Sequence, residues 1–227
     1  MSGSVWRGLA GLAVLAACDS GNGPPPPQGS SLRVVHAIRG GPTLTVVVDG
    51  RPLVIGLAFG GVTRPLVLSP GAHVMDPVPA DATPRVLLGF NTVSGIDYTI
   101  FVVDSVAGTQ HIIDPVVVLD SGATTAPGQV RLRIAGFAAA APAIDVYRSQ
   151  PDSTGLRASA QPLNFRAVTR YFAGAPGDWS VVISHTGTTD TLLATGPLPL
   201  IDGQTRTVVV LDSTPGHVTW RLVPDRN

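Results

Sequence analysis

From residue 32 onward apolar and polar positions alternate with a period of two, as expected of strands whose side chains point to opposite faces. Leu32, Val34 and His36 alternate with Arg33, Val35 and Ala37, predicting a first strand with the former set turned inward. After Gly40-Gly41-Pro42, the residues Leu44, Val46 and Val48 form the inward set of a second strand, which Asp49-Gly50 ends in a hairpin turn. Residues 52–59, 64–68, 73–78, 85–90, 98–104 and 110–119 continue the series. Gly60-Gly61 and Ser69-Pro70-Gly71 are among the turn formers that separate them. Pro77, Pro79 and Pro84 place the fifth strand at a sheet edge or cut it short. Short strands with frequent turn signals and no amphipathic helix predict a β-sandwich.

The pattern then starts again. Val130, Leu132 and Ile134 alternate with Arg131 and Arg133, and residues 142–147 repeat residues 42–47. Leu57-Ala58-Phe59 returns as Leu163-Asn164-Phe165, Val62-Thr63-Arg64 as Val168-Thr169-Arg170, and Pro70-Gly71 as Pro176-Gly177. Each match stands 106 residues from its counterpart, and a shared offset across separated matches marks a duplication. Residues 207–212 repeat 99–104, and residues 218–223 form the last strand. The expected architecture is all-β, with two tandem immunoglobulin-like β-sandwich domains over residues 32–120 and 129–227. The polar, Gly/Pro-bearing linker 121–128 leads to the expectation that few contacts cross between them and that 129–227 folds alone.

The first 31 residues follow a different logic. Arg7 precedes an apolar run over residues 8–17, too short to span a bilayer but the length of a signal-peptide core. The run ends in Leu15-Ala16-Ala17-Cys18, which resembles the lipobox of bacterial lipoproteins. That resemblance implies removal of residues 1–17, acylation of Cys18, the only cysteine, and stable membrane attachment through several acyl chains. Asp19 resembles the signal that retains lipoproteins at the inner membrane in enteric bacteria. Residues 18–31, with Pro24 to Pro27 in succession, form a semi-stiff tether.

Composition narrows the function. The charge is balanced, with 15 basic and 15 acidic residues, so nothing electrostatic favours nucleic acid as a partner. Lys and Glu are absent, which excludes Schiff-base chemistry, the phosphate-loop lysine and a His-Glu-x-x-His metal helix. No Gly-x-Ser-x-Gly elbow and no calcium-loop pattern is present. His36, His73, His111 and His217 each lack a second ligand at metal spacing, so no metal or other cofactor is expected. His36, aligned with Ile134, and His73, aligned with Trp179, fall on inward faces and read as structural. Asp104-Ser105 and Asp212-Ser213 recur at strand ends, as turn formers do.

Leu-Arg-Val-Val-His-Ala, the Pro-x-Ile-Asp-Val-Tyr and Val-Val-Val-Asp-Gly strands, Leu-x-Phe-Gly-x-Val and Pro-Gly together resemble a bacterial family catalogued as domain of unknown function 4397. Its members are often secreted or lipid-anchored and often carry tandem copies. The resemblance implies a β-sandwich in the envelope and supplies no catalytic residues. Two departures stand out: Thr45 in place of a strand Asp, and Ile134 in place of a strand His.

These readings converge on a lipid-anchored envelope protein that binds or braces, with membrane attachment through the lipid and an envelope glycan or protein as partner. The alternative is a carbohydrate-binding accessory module using the aromatics of the second repeat. Candidate binding residues are Arg64 and Arg170, which follow the same Val-Thr pair, and Tyr171, Phe172 and Trp220. Both arginines are expected on the surface.

Overall fold

The computed structural model describes residues 29–107, 110–120, 125–151, 153–159 and 161–226, as strands, turns and loops. The signal peptide, Cys18, most of the tether and the first half of the linker lie outside the described residues. The first half contains β1 (Ser30–His36), β2 (Leu44–Val48), β3 (Arg51–Leu57), β4 (Leu66–Leu68), β5 (Gly71–Pro79), β6 (Leu88–Thr92), β7 (Asp97–Ala107) and β8 (Gln110–Leu119). The second contains β9 (Val130–Phe137), β10 (Ala143–Ser149), β11 (Arg157–Ala158), β12 (Leu163–Asn164), β13 (Ala167–Val168), β14 (Phe172–Gly174), β15 (Gly177–His185), β16 (Thr191–Ala194), β17 (Leu198–Leu200), β18 (Thr205–Asp212) and β19 (Val218–Arg226).

Each half is two sheets closed on an apolar core. In the first, β4-β1-β7-β8 packs on β3-β2-β5-β6 around Leu32, Val34, Leu44, Val46, Met75 and Ile100. In the second, β13-β9-β18-β19 packs on β11-β10-β15-β16 around Leu132, Ile134, Ile144, Val146, Trp179 and Val208. The first strand of each half runs parallel to its long central strand, placing Arg33 beside Thr99 and Arg133 beside Thr207. This register aligns Val34 with Ile134, so the counterpart of His36 is Gly136 rather than Ile134. Alternation alone had not fixed the register between the copies. β5 pairs with β2 along residues 75–79 but with β6 only over residues 71–75, so Pro77 and Pro79 fall where β5 has a neighbour on one side alone.

The halves are not loosely linked. Val35, Ala37, Phe101 and Val103 of the first half and Ala135, Phe137, Val209, Leu211 and Val223 of the second form one buried cluster. Phe101 and Phe137 stack with ring centroids 4.1 Å apart, a pairing worth about 0.5–1.5 kcal/mol beyond its burial. The expectation that few contacts cross the linker is therefore corrected. The sheets containing β1 and β9 are buried on both faces, which explains why Ile100-Phe101-Val102-Val103 and Val208-Val209-Val210-Leu211 contain no polar residue.

Four charges close the seam. Arg33 donates to Asp120 Oδ2 at 3.1 Å and to the Asp225 carbonyl at 2.8 Å. Arg133 donates to Asp120 Oδ1, to the Leu119 carbonyl at 2.8 Å and to Thr207 Oγ1 at 2.8 Å. The Asp225 carboxylate lies 3.7 Å from Arg33 and 3.8 Å from Arg133. Thr99 and Thr207 donate to Asp120 and Asp225 at 2.6 and 2.5 Å. All four charged side chains are at least nine-tenths buried. Burial pushes the Asp225 carboxyl up to about 6, only partly offset by the Arg133 charge. At the periphery, Arg166 reaches across to Asp114 at 2.6 Å.

Candidate functional site

The repeated Val-Thr-Arg does the same structural work in both halves, and the threonine carries it. Thr63 Oγ1 accepts the Val34 N–H at 3.0 Å, while the Thr63 N–H donates to the Val34 carbonyl, also at 3.0 Å. Thr169 repeats both bonds on Ile134, at 3.0 and 2.8 Å. Each threonine thus clasps the first strand of its half where the neighbouring strand is interrupted. The preceding Val62 and Val168 turn to the shared cluster between the halves, as do Phe59 and Phe165 of the Leu-x-Phe motif. Leu57 and Leu163 face their own cores.

Arg64 and Arg170 are both exposed and make no ion pair among the described residues. The three aromatic candidates do not form a platform. Tyr171 is half-buried at the seam, where its hydroxyl donates to Asp225 Oδ2 at 3.0 Å and its ring lies 4.6 Å from the Arg133 guanidinium. Burial and the nearby Asp225 charge push its hydroxyl pKa up, so it remains a donor. Phe172 is buried in the second core, and Trp220 packs half-buried against it.

What the structure brings together is different. A groove of about 490 Å³ runs along the second half beside Thr169 and Arg170. Its walls include Arg148, Ser159, Gln161, Asn164, Arg170 and Phe172, and none of the described residues lining it is acidic. Arg148 lies with its guanidinium carbon 3.7 Å from the Phe172 ring centre, a cation–π contact. Its Nε and Nη1 are buried without a hydrogen-bond partner among the described residues, as is Ser159 Oγ. Arg157 stands directly opposite Arg148 across the β10–β11 pair, where like charges disfavour one another. Burial first, then the charges of Arg157 and Arg170, lower the Arg148 pKa.

Arg148 was not legible as a site residue, because an arginine near the end of a strand normally reads as a solvated side chain. The remaining polar candidates have structural partners. His36 is buried: its Nδ1 accepts the Ile38 N–H at 3.2 Å, which leaves Nε2–H to donate to the Pro42 carbonyl at 2.8 Å. Burial lowers its pKa. His73 bonds the Asp49 carboxylate at 2.7 Å and the Ser69 carbonyl at 2.8 Å. Burial lowers its affinity for the proton, but these two acceptors outweigh that and raise its pKa. Neither aspartate acts as the expected turn former: Asp212 accepts the N–H groups of Ala139 and Ala140 in the distant loop after β9, and Asp104 pairs with His111 at 2.5 Å.

The family described as Domain of unknown function (DUF4397) matches residues 30–147, from β1 across the junction to β10. No curated protein matches the chain. Among solved structures, the Bacillus anthracis TIE protein is similar at 12% identity and a TM-score of 0.27, over 82% of this chain and 34% of its own. This chain thus spans about a third of that protein's length. A candidate cell adhesion protein of Bacteroides uniformis is similar at 10% identity and a TM-score of 0.25, over 87% of this chain and 99% of its own. The Streptococcal ancillary pilin is similar at 12% identity and a TM-score of 0.20, over 77% and 58% of the respective chains. At such TM-scores none of the three assigns a function to this chain.

Proposed function

The chain belongs to the family described as domain of unknown function (DUF4397), and from that premise we propose that it is a lipid-anchored bacterial envelope protein that binds or braces another envelope component without catalysis. Residues 1–17 are the signal peptide, Cys18 is the lipidated residue and 18–31 form the tether. Repeats over 32–120 and 129–227, joined by 121–128, are the folded part. The observation that carries the binding role is the groove beside Arg170. It offers guanidinium donors, a hydroxyl and two side-chain amides. Arginine stays protonated at ordinary pH, so such a lining holds a ligand but cannot relay protons.

The buried network at the seam supports the bracing part of the reading, since it holds two sandwiches as one stiff unit above the tether. Stacking of a sugar on Tyr171, Phe172 and Trp220 has little support, because all three are engaged in packing. The test is detergent-phase partitioning and fatty-acid labelling of the full chain in a bacterial host. The unaltered protein is expected in the detergent phase with label, and Cys18→Ser in the aqueous phase without it. Unchanged partitioning of Cys18→Ser would refute the anchor.

A further inference from the structure

We infer that the groove formed by β10, β11 and the Val-Thr-Arg loop of the second half binds the carboxylate of an acidic saccharide. The inference deepens the binding role proposed above and rests on it. Three arginines converge here: Arg148 and Arg170 line the groove, and Arg157 faces Arg148 from the neighbouring strand. Among the described residues no acidic side chain lines the groove, whereas Asp120 and Asp225 at the interface between the halves both face arginines. An oxyanion entering the groove would relieve the mutual repulsion of the three cations around the half-buried Arg148. A carboxylate matches the planar fork of a guanidinium, and the exposed Arg170 supplies accessible donors in the lining, with the exposed Arg157 opposite Arg148 on the neighbouring strand.

The rest of the lining indicates what carries the carboxylate. Gln161 and Asn164 are exposed amides at the rim. Neutral groups able both to donate and to accept suit the hydroxyls of a sugar ring. The chain as a whole carries a formal charge of +0, so recognition is local, without the long-range field that gathers extended polyphosphates. The corresponding place in the first half has Val48 for Arg148 and Leu66 for Phe172, and cannot hold an anion in the same way.

Calorimetric titration of the full chain tests this with three probes: a galacturonic acid trimer, a neutral galactose trimer, and inorganic sulfate. The acidic trimer should bind, the neutral one should not, and sulfate should bind at least about tenfold more weakly. Arg148→Gln should abolish binding. Arg170→Gln, at an exposed position, should weaken it severalfold without moving the melting temperature, and adding salt should weaken it further. Equal binding of the neutral trimer, sulfate binding as tight as the acidic trimer, no binding of the acidic trimer, or indifference to Arg170→Gln would each overturn the assignment. If the detergent partitioning holds and the trimer does not bind, the envelope reading stands and only the ligand is wrong.

Discussion

On the faces where the two halves meet, Arg33, Thr99 and Asp120 stand opposite Arg133, Thr207 and Asp225, type for type. At the groove, Val48 and Leu66 stand where the second half has Arg148 and Phe172, and His73 stands where it has Trp179. The difference follows from what each region answers to. At the seam every charge is shared by both halves, so a change on one side strands a buried partner on the other. The groove lies within the second half, and its lining can differ from the first half without stranding a buried partner there.

Breaking the shared region should have the largest effect. Asp120→Ala leaves two buried guanidiniums facing a single carboxylate, and should cost about 3–5 kcal/mol by urea unfolding. The clasp should come next, and equally in both halves. Thr63→Val or Thr169→Val strands a backbone N–H and should cost about 1–3 kcal/mol each. The exposed arginines of the same motif should matter least to stability. Arg64→Ala and Arg170→Ala should each shift it by under about 1 kcal/mol, which separates the role of the threonine from that of the arginine.

The smallest effect is in pH. His73 should titrate above the ordinary histidine range by NMR, and fall towards it in Asp49→Asn. The sign is that of a raised base paired with a lowered acid. The His73 contribution is full below its ordinary pKa and is lost as pH rises through the raised one. The Asp49 contribution is lost as pH falls through its lowered pKa. The pair therefore stabilises most between those limits, and only in the first half, because Trp179 does not titrate.

The sequence made the all-β class plain through turn chemistry and alternation, and the offset between the two Val-Thr-Arg copies marked their equivalence. The seam was present but misread. Runs such as Ile100 to Val103 have no polar member because both faces of the strand are covered, and that departure from alternation is the available signal. Arg33 and Arg133 occupy matching places in the first strands, yet a strand arginine is normally solvated, and only the packing shows them buried. Arg148 was hidden for a related reason: its significance lies in donor atoms left without hydrogen-bond partners among the described residues, which no linear pattern records.

The central claim is that the halves unfold as one body. Denaturant unfolding of residues 30–227 and of residues 129–227 alone, followed by intrinsic fluorescence and circular dichroism, tests it most directly. The shared cluster and the four-charge network predict one transition for the longer chain, coincident by both probes. They also predict an isolated second half that is molten or markedly less stable, with Phe137, Val209 and Leu211 uncovered. An isolated second half that unfolds cooperatively at the midpoint of the longer chain would contradict the claim.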